Sequence, residues 1–182
     1  DAPRRDVIVV YGEAVQATTE QRSRIFVWAT WIASALLLTL FGLQLLAWGG
    51  IWLDFSVYRE AGATVLWGGD LYGKVVIDPI SGARLPFTYP PFAALLAVPS
   101  ALVPLQVAGS VWAAMQCIMC LLLAFALVRE WPGWPTAAAE LRVGVVAVST
   151  AALLATLPVV QSIALGQASL AVVTLVVLDL TV

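Results

Sequence analysis

Residues 25–48 read I-F-V-W-A-T-W-I-A-S-A-L-L-L-T-L-F-G-L-Q-L-L-A-W, 24 positions without a charged side chain. At about 1.5 Å of rise per residue, a helix of that length crosses a hydrocarbon core about 30 Å thick. Trp28, Trp31, Trp48 and Trp52 fall near its two ends, where indole rings settle at a membrane interface. The chain as a whole is 62% hydrophobic and 11% charged, whereas a soluble domain carries about 25% charged residues. These residues therefore read as the first membrane span of a polytopic, all-α protein.

Working back from that span, residues 1–24 are polar and balanced, with Arg4, Arg5, Arg22 and Arg24 against Asp1, Asp6, Glu13 and Glu20. No apolar run with a small-residue cleavage site follows the charged start, so the segment is not a cleaved signal peptide. It is expected to be a disordered or surface-lying tail, with a short strand over Val7–Tyr11 as the lesser alternative. Arg22 and Arg24, just ahead of the span, assign this tail to the cytoplasm.

Working forward, residues 49–106 form a long outer loop with its own elements. A helix is predicted from Val57 to Trp67, capped by Ser56 and ended by Gly68-Gly69. Val57, Ala61 and Val65 give it one apolar stripe, as expected of a helix lying on a membrane surface. Residues 75–77 and 83–87 flank D-P-I-S-G and predict a small hairpin turning at Pro79 and Gly82. Residues 92–103 are apolar but too short for a span and are bounded by prolines, so they predict a second surface or half-inserted helix. Further spans are expected at 107–128, 143–160 and 168–182, with a polar interruption over Gln161–Gln167. Arg129 and Arg142 put the W-P-G-W-P loop between them on the cytoplasmic side. The chain begins without methionine and stops inside an apolar run, so it reads as the N-terminal part of a longer protein.

Composition also removes chemistries. A net charge of −2 leaves no nucleic-acid footprint. With no histidine, acid–base work falls to carboxylates, tyrosine or lysine. Cys117 and Cys120 lie mid-span without companions and read as packing residues. Asp54, delivered just beyond the first span among Trp52, Leu53 and Phe55, is the leading candidate base. The competing reading makes it a helix cap whose carboxylate is occupied by backbone N–H groups. Tyr58, Arg59 and Arg84 could hold an anionic headgroup or phosphate, or simply snorkel to lipid. Asp70 and Tyr72 could meet a sugar hydroxyl or only build a turn. Tyr89, before Pro90-Pro91, starts the next helix and would face the cleft. Gln161 and Gln167 could line a polar cavity or bond neighbouring helices. Asp179 is ionisable within an apolar run.

Three stretches together carry a resemblance: D-F-S-V-Y-R-E-A-G-A-T-V-L-W-G-G-D-L-Y at 54–72, L-P-F-T-Y-P-P-F-A-A-L-L at 85–96 and L-G-Q-A-S-L at 165–170. The sequence resembles the polyprenol-phosphate-mannose-dependent α-mannosyltransferases of the GT-C superfamily, found in mycobacteria and other actinobacteria. Those enzymes act in phosphatidylinositol mannoside and lipomannan assembly. The likeness implies that Asp54 is the general base of an inverting transfer from a polyprenyl-phosphate donor to a glycolipid or lipoglycan acceptor. It implies a multi-pass plasma-membrane enzyme with its active site outside and no metal or cofactor; Tyr58, Arg59, Asp70, Tyr72, Arg84, Tyr89 and Gln167 remain substrate-binding candidates on their own chemistry. A polyprenyl-phosphate-arabinose-dependent arabinofuranosyltransferase is the alternative within that class. A transporter or scaffold subunit is the alternative outside it, since discontinuous helices also suit a substrate pathway.

Overall fold

The computed structural model describes residues 2–48, 52–78 and 80–181, with residues 2–20 and Trp48 described by backbone only. Among the described residues, seven helices and one hairpin follow in order: α1 (Ala2–Trp48), α2 (Leu53–Trp67), β1 (Val75–Ile77), β2 (Arg84–Pro86), α3 (Pro91–Ala101), α4 (Leu105–Arg129), α5 (Ala139–Leu154), α6 (Leu157–Leu165) and α7 (Ser169–Thr181). The protein is an all-α polytopic membrane protein. Gln21–Ala47 and Leu105–Arg129 are long and apolar enough to cross a bilayer, and α5 with α6 forms a bent pair that passes the same test jointly.

α1 corrects the expected tail. Neither disorder nor a strand at Val7–Tyr11 is found, because the helix is continuous from Ala2. Pro3 sits in its first turn, where a missing N–H is no loss, and residues 4–21 hold no further proline and one glycine. Low apolar content does not prevent helix formation when the residues are good helix formers.

The helices alternate in direction. Thr30 of α1 lies against Gly144 of α5, and Arg24 shares a cleft with Glu140, so α1 and α5 run parallel. α4 starts where α1 ends, with the Trp52 indole over Gly109. It runs back to Arg129, whose guanidinium donates to the Thr181 carbonyl at the end of α7. Lipid tails are as apolar as leucine, so close packing must hold such a bundle together. Small residues supply it: a Cβ on Gly144 would stand 2.4 Å from Thr30 Oγ1, and one on Gly109 2.4 Å from the Trp52 ring. Cys120 is fully buried with Leu154, Ile163 and Leu170, as a packing residue should be. Leu36, Leu43, Ile118 and Val172 point outward, as lipid-facing side chains do.

The fourth segment departs from expectation. The polar interruption predicted over Gln161–Gln167 falls partly inside α6, which holds Gln161, and partly on the turn between α6 and α7, where Gly166 takes φ 75° and Gln167 lies outside both helices. A further break divides the span expected at 143–160: it falls at Ala155–Thr156, where the axis bends by 69°. Thr156 is extended (φ −73°, ψ 139°), and Pro158 occupies the first turn of α6. Proline in the middle of a continuous helix would clash with the preceding turn, and starting a new helix there removes the clash. Asp179, exposed near the end of α7, belongs to the Arg129 end of the bundle.

The loop between α1 and α4 contains the expected helix, hairpin and second short helix. β1 and β2 pair antiparallel in the register Val75↔Pro86, Val76↔Leu85, Ile77↔Arg84. Gly82 takes φ 69° in the turn, and Pro79 lies outside the described residues. α2 ends at Gly68 with φ 80°, and Pro91 opens α3. Val57, Ala61, Phe87 and Ala94 form a buried cluster that joins α2, the hairpin and α3.

Candidate active site

Trp52 sets the site's position. It caps α2 in the left-handed region (φ 42°, ψ 42°), a conformation uncommon for a bulky residue. Its N–H donates to the Ala164 carbonyl at 3.0 Å, and its indole packs on Gly109. Helix α2 therefore starts at Leu53, not Val57. Ser56 is not its cap, since the Ser56 hydroxyl donates back to the Trp52 carbonyl at 3.0 Å from inside the helix. Asp54 occupies the second helical position, half-buried. Among the described residues no hydrogen bond reaches its carboxylate, which leaves the group unoccupied by backbone amides.

One turn on, Tyr58 faces the same way. Its hydroxyl donates to that of Tyr89 at 2.9 Å, and the rings meet edge to face at 5.1 Å. The Tyr72 hydroxyl donates to the Tyr89 carbonyl at 3.2 Å, so three of the chain's four tyrosines gather here. Burial pushes the Tyr58 phenol up from its usual value, helped by the Tyr89 hydrogen bond and by the charges of Tyr89 and Asp54. The backbone of Ala168, in the α6–α7 turn, acts in the opposite direction on the same hydroxyl. Asp54, Tyr58, Tyr89 and the α6–α7 turn thus share one locality.

Behind the tyrosines opens an apolar cavity of about 450 Å³. Phe55 and Tyr58 line one side, Ala93, Leu96 and Ser100 of α3 another, and Val107, Val111 and Trp112 of α4 the third. Trp112 stacks on Phe55 at 5.7 Å and donates to the Gly166 carbonyl at 3.0 Å. Asp54 does not line the cavity but lies close to Tyr58, which does. A chamber of this size suits a small or chain-like ligand, and its walls suit hydrocarbon.

The remaining sequence candidates are dispersed. Arg59 donates to the carbonyls of Ser100 at 3.1 Å and Val103 at 3.0 Å, fastening the end of α3. Asp70 accepts from the Tyr72 N–H at 3.0 Å and builds a turn. Arg84 is exposed on β2, away from the cavity. Gln167 is half-buried beside Gly166, its N–H on the Ser162 carbonyl at 2.8 Å. Ser162 in turn donates to the buried Gln116 of α4 at 3.0 Å, a link that fixes α6 against α4. Sequence reading did not single out Phe55, Trp112 or the α3 and α4 wall. Their only signal is apolar character, which lipid-facing and core positions share.

A sequence profile described as Glycosyltransferase family 87 matches residues 87–182. That range includes Tyr89, the α3 and α4 wall, and Gln167. Two curated relatives share the printed description polyprenol-phosphate-mannose-dependent alpha-(1-2)-phosphatidylinositol pentamannoside mannosyltransferase. The one from Mycobacterium tuberculosis is 40% identical over 86 residues, 44% of this chain and 20% of the relative. The one from Mycolicibacterium smegmatis is 43% identical over 65 residues, 35% of this chain and 16% of the relative. The match thus spans a fifth or less of each relative's length. No solved structure matches the chain.

Proposed function

Because the chain belongs to glycosyltransferase family 87, we propose that it carries the catalytic base and part of the donor groove of a membrane mannosyltransferase. The donor is a polyprenyl-phosphate mannose and the acceptor a glycolipid or lipoglycan. The relatives' names support that choice of sugar over arabinose. One observation carries the reading: an apolar chamber has the hydrogen-bonded pair Tyr58 and Tyr89 in its lining, and the Asp54 carboxylate, one helical turn before Tyr58, accepts no hydrogen bond among the described residues. A lipid-linked sugar has the same order of parts, hydrocarbon first and then a polar head.

In this reading the donor's prenyl chain lies against α3 and α4, with its head at Tyr58 and Tyr89. Asp54 takes the proton from an acceptor hydroxyl as that oxygen attacks the anomeric carbon. The bond to the bridging phosphate oxygen breaks, and polyprenyl phosphate leaves with the bonding pair. Attack opposite the leaving group inverts the centre, so a β-linked donor yields an α-linked product. Positioning and one base contribute much of the acceleration, because the leaving group is already good. The site is proposed to face outward, since the cytoplasmic assignment of Arg22 and Arg24 puts the far end of α1 outside.

The test is Asp54→Asn in the full-length protein, assayed for transfer of radiolabelled mannose from polyprenyl-phosphate mannose in membranes. The expected result is a fall of about 10²–10⁴-fold with little change in KM, as removal of a general base produces. Transfer at the wild-type rate by a variant with an unchanged size-exclusion profile overturns the assignment.

A further inference from the structure

A second site lies at the opposite end of the bundle. Arg24, Val27, Trp28 and Trp31 of α1 and Glu140 of α5 line a cleft of about 560 Å³. That volume is within the usual range for small-ligand sites. Arg24 precedes the uncharged run of α1, and Glu140 lies in the first turn of α5. The two helices are parallel, so both charges stand at one membrane boundary.

The two charged groups face one cleft without forming an ion pair with each other. Elsewhere the protein does bring neighbouring opposite charges together: Lys74 bonds Glu60 at 2.9 Å and Arg129 bonds Glu130 at 3.2 Å. A site lined by a cation, an anion and two indoles complements a ligand carrying both charges. We propose that this cleft holds the headgroup of a zwitterionic phospholipid with a primary amine, its phosphate on Arg24 and its ammonium on Glu140 and the Trp28 and Trp31 rings.

Each contact has its own chemistry. The guanidinium meets phosphate oxygens through paired N–H donors. An ammonium donates hydrogen bonds to the carboxylate and is drawn to the face of tryptophan. Glu140 sets the selectivity. An arginine that only snorkels binds any phospholipid, and most strongly an anionic one. A carboxylate beside it repels the anionic headgroup and attracts the ammonium. The adjoining exposed ring of Trp28 and the apolar face of α1 continue into the region where acyl chains would lie.

The test is native mass spectrometry of the full-length protein released from nanodiscs of phosphatidylethanolamine, phosphatidylglycerol or phosphatidylcholine. The wild type is expected to retain phosphatidylethanolamine over the other two. Glu140→Gln is expected to abolish that preference. Arg24→Gln is expected to lower retention of phosphatidylethanolamine about fivefold, the factor contributed by one basic residue near a lipid surface. Both side chains are exposed, and an unchanged thermal midpoint confirms that each variant folds. Equal retention of phosphatidylglycerol by the wild type overturns the proposal, as does a preference that survives Glu140→Gln. Equal retention of phosphatidylcholine removes the ammonium–carboxylate contact. Retention of no lipid at all means that the chain itself fills the cleft, and also defeats it. Lipid retention is read without sugar transfer, so the result stands apart from the role of Asp54.

Discussion

Gly62→Ala tests how the platform carrying Asp54 is held. Gly62 lies on the face of α2 that crosses α3, and a Cβ there would stand 2.6 Å from both the carbonyl carbon and the oxygen of Ala97 and 2.9 Å from the Val98 nitrogen. Carbon atoms prefer about 3.5–4.0 Å, so the helices must part by about 1 Å, and backbone cannot swing aside as a flexible side chain can. Overpacking of this kind costs about 1–3 kcal/mol. Gly→Ala in a helix interior returns about 1 kcal/mol, which leaves a net loss of about 0–2 kcal/mol. Gly42 in α1 isolates the second contribution, since a Cβ there meets nothing within 4 Å. Gly42→Ala is therefore expected to raise the thermal midpoint of the solubilised protein, and Gly62→Ala to fall below Gly42→Ala by the clash alone. At about 2–4 °C per kcal/mol for a chain of this size, the two variants should differ by about 2–12 °C. Activity should separate them further, because α2 carries Tyr58 and α3 carries Leu96 and Ser100 on facing walls of one chamber. A displacement of about 1 Å can cost about a hundredfold in rate. Equal midpoints and equal transfer rates in the two variants would refute the close crossing of α2 and α3.

Three further outcomes follow from the site. Raising the Tyr58 phenol above its ordinary value of 10.0 means that the neutral form favours the fold, so its contribution is whole below pH 10 and is lost as pH climbs through the folded value. Wild type and Tyr58→Phe should therefore show parallel stability from pH 7 to 10 and converge above it, as followed by thermal midpoint against pH. Arg59→Ala removes two charge-assisted hydrogen bonds to the end of α3; half-exposed as the side chain is, a cost of about 1–2 kcal/mol is expected, read as a lower midpoint that Arg59→Lys restores only in part. Trp112→Phe keeps the stacking on Phe55 but leaves the Gly166 carbonyl without its donor, at about 1–3 kcal/mol, measurable in the same way.

Much of the scaffold was legible because the deciding signals were local. An uncharged run of 24 residues has few fates besides a span. Gly68 stopped α2, Pro91 started α3, and D-P-I-S-G turned a hairpin, each through backbone preferences of the residues concerned. What failed depended on distant partners. Ser56 is a good cap by residue type, but the Ala164 carbonyl, far along the chain, takes the Trp52 N–H and starts the helix earlier. For Arg59, read as a phosphate ligand or as a side chain snorkelling to lipid, nothing local showed that the carbonyls of Ser100 and Val103 would accept from it. The bend before α6 was missed because residues 143–160 read as one span, whereas Pro158 makes a new helix start within them.

Trp52 links these failures. Read from the sequence, it is one more interfacial indole at the end of a span. In the fold, its N–H bonds α6, its ring rests on α4, and its carbonyl receives the first bonds of α2. A left-handed conformation at a bulky residue costs about 1–3 kcal/mol and persists only where its surroundings over-determine it. Three such contacts meet that condition. They also fix the rotation of α2 about its axis, and hence the direction in which positions 54, 55 and 58 project. Turning α2 by one position would exchange Phe55 for Asp54 against Trp112 and move the carboxylate into the chamber's wall. The strain at Trp52 is therefore tied to the rotation of α2, and through it to the side on which Asp54, Phe55 and Tyr58 project.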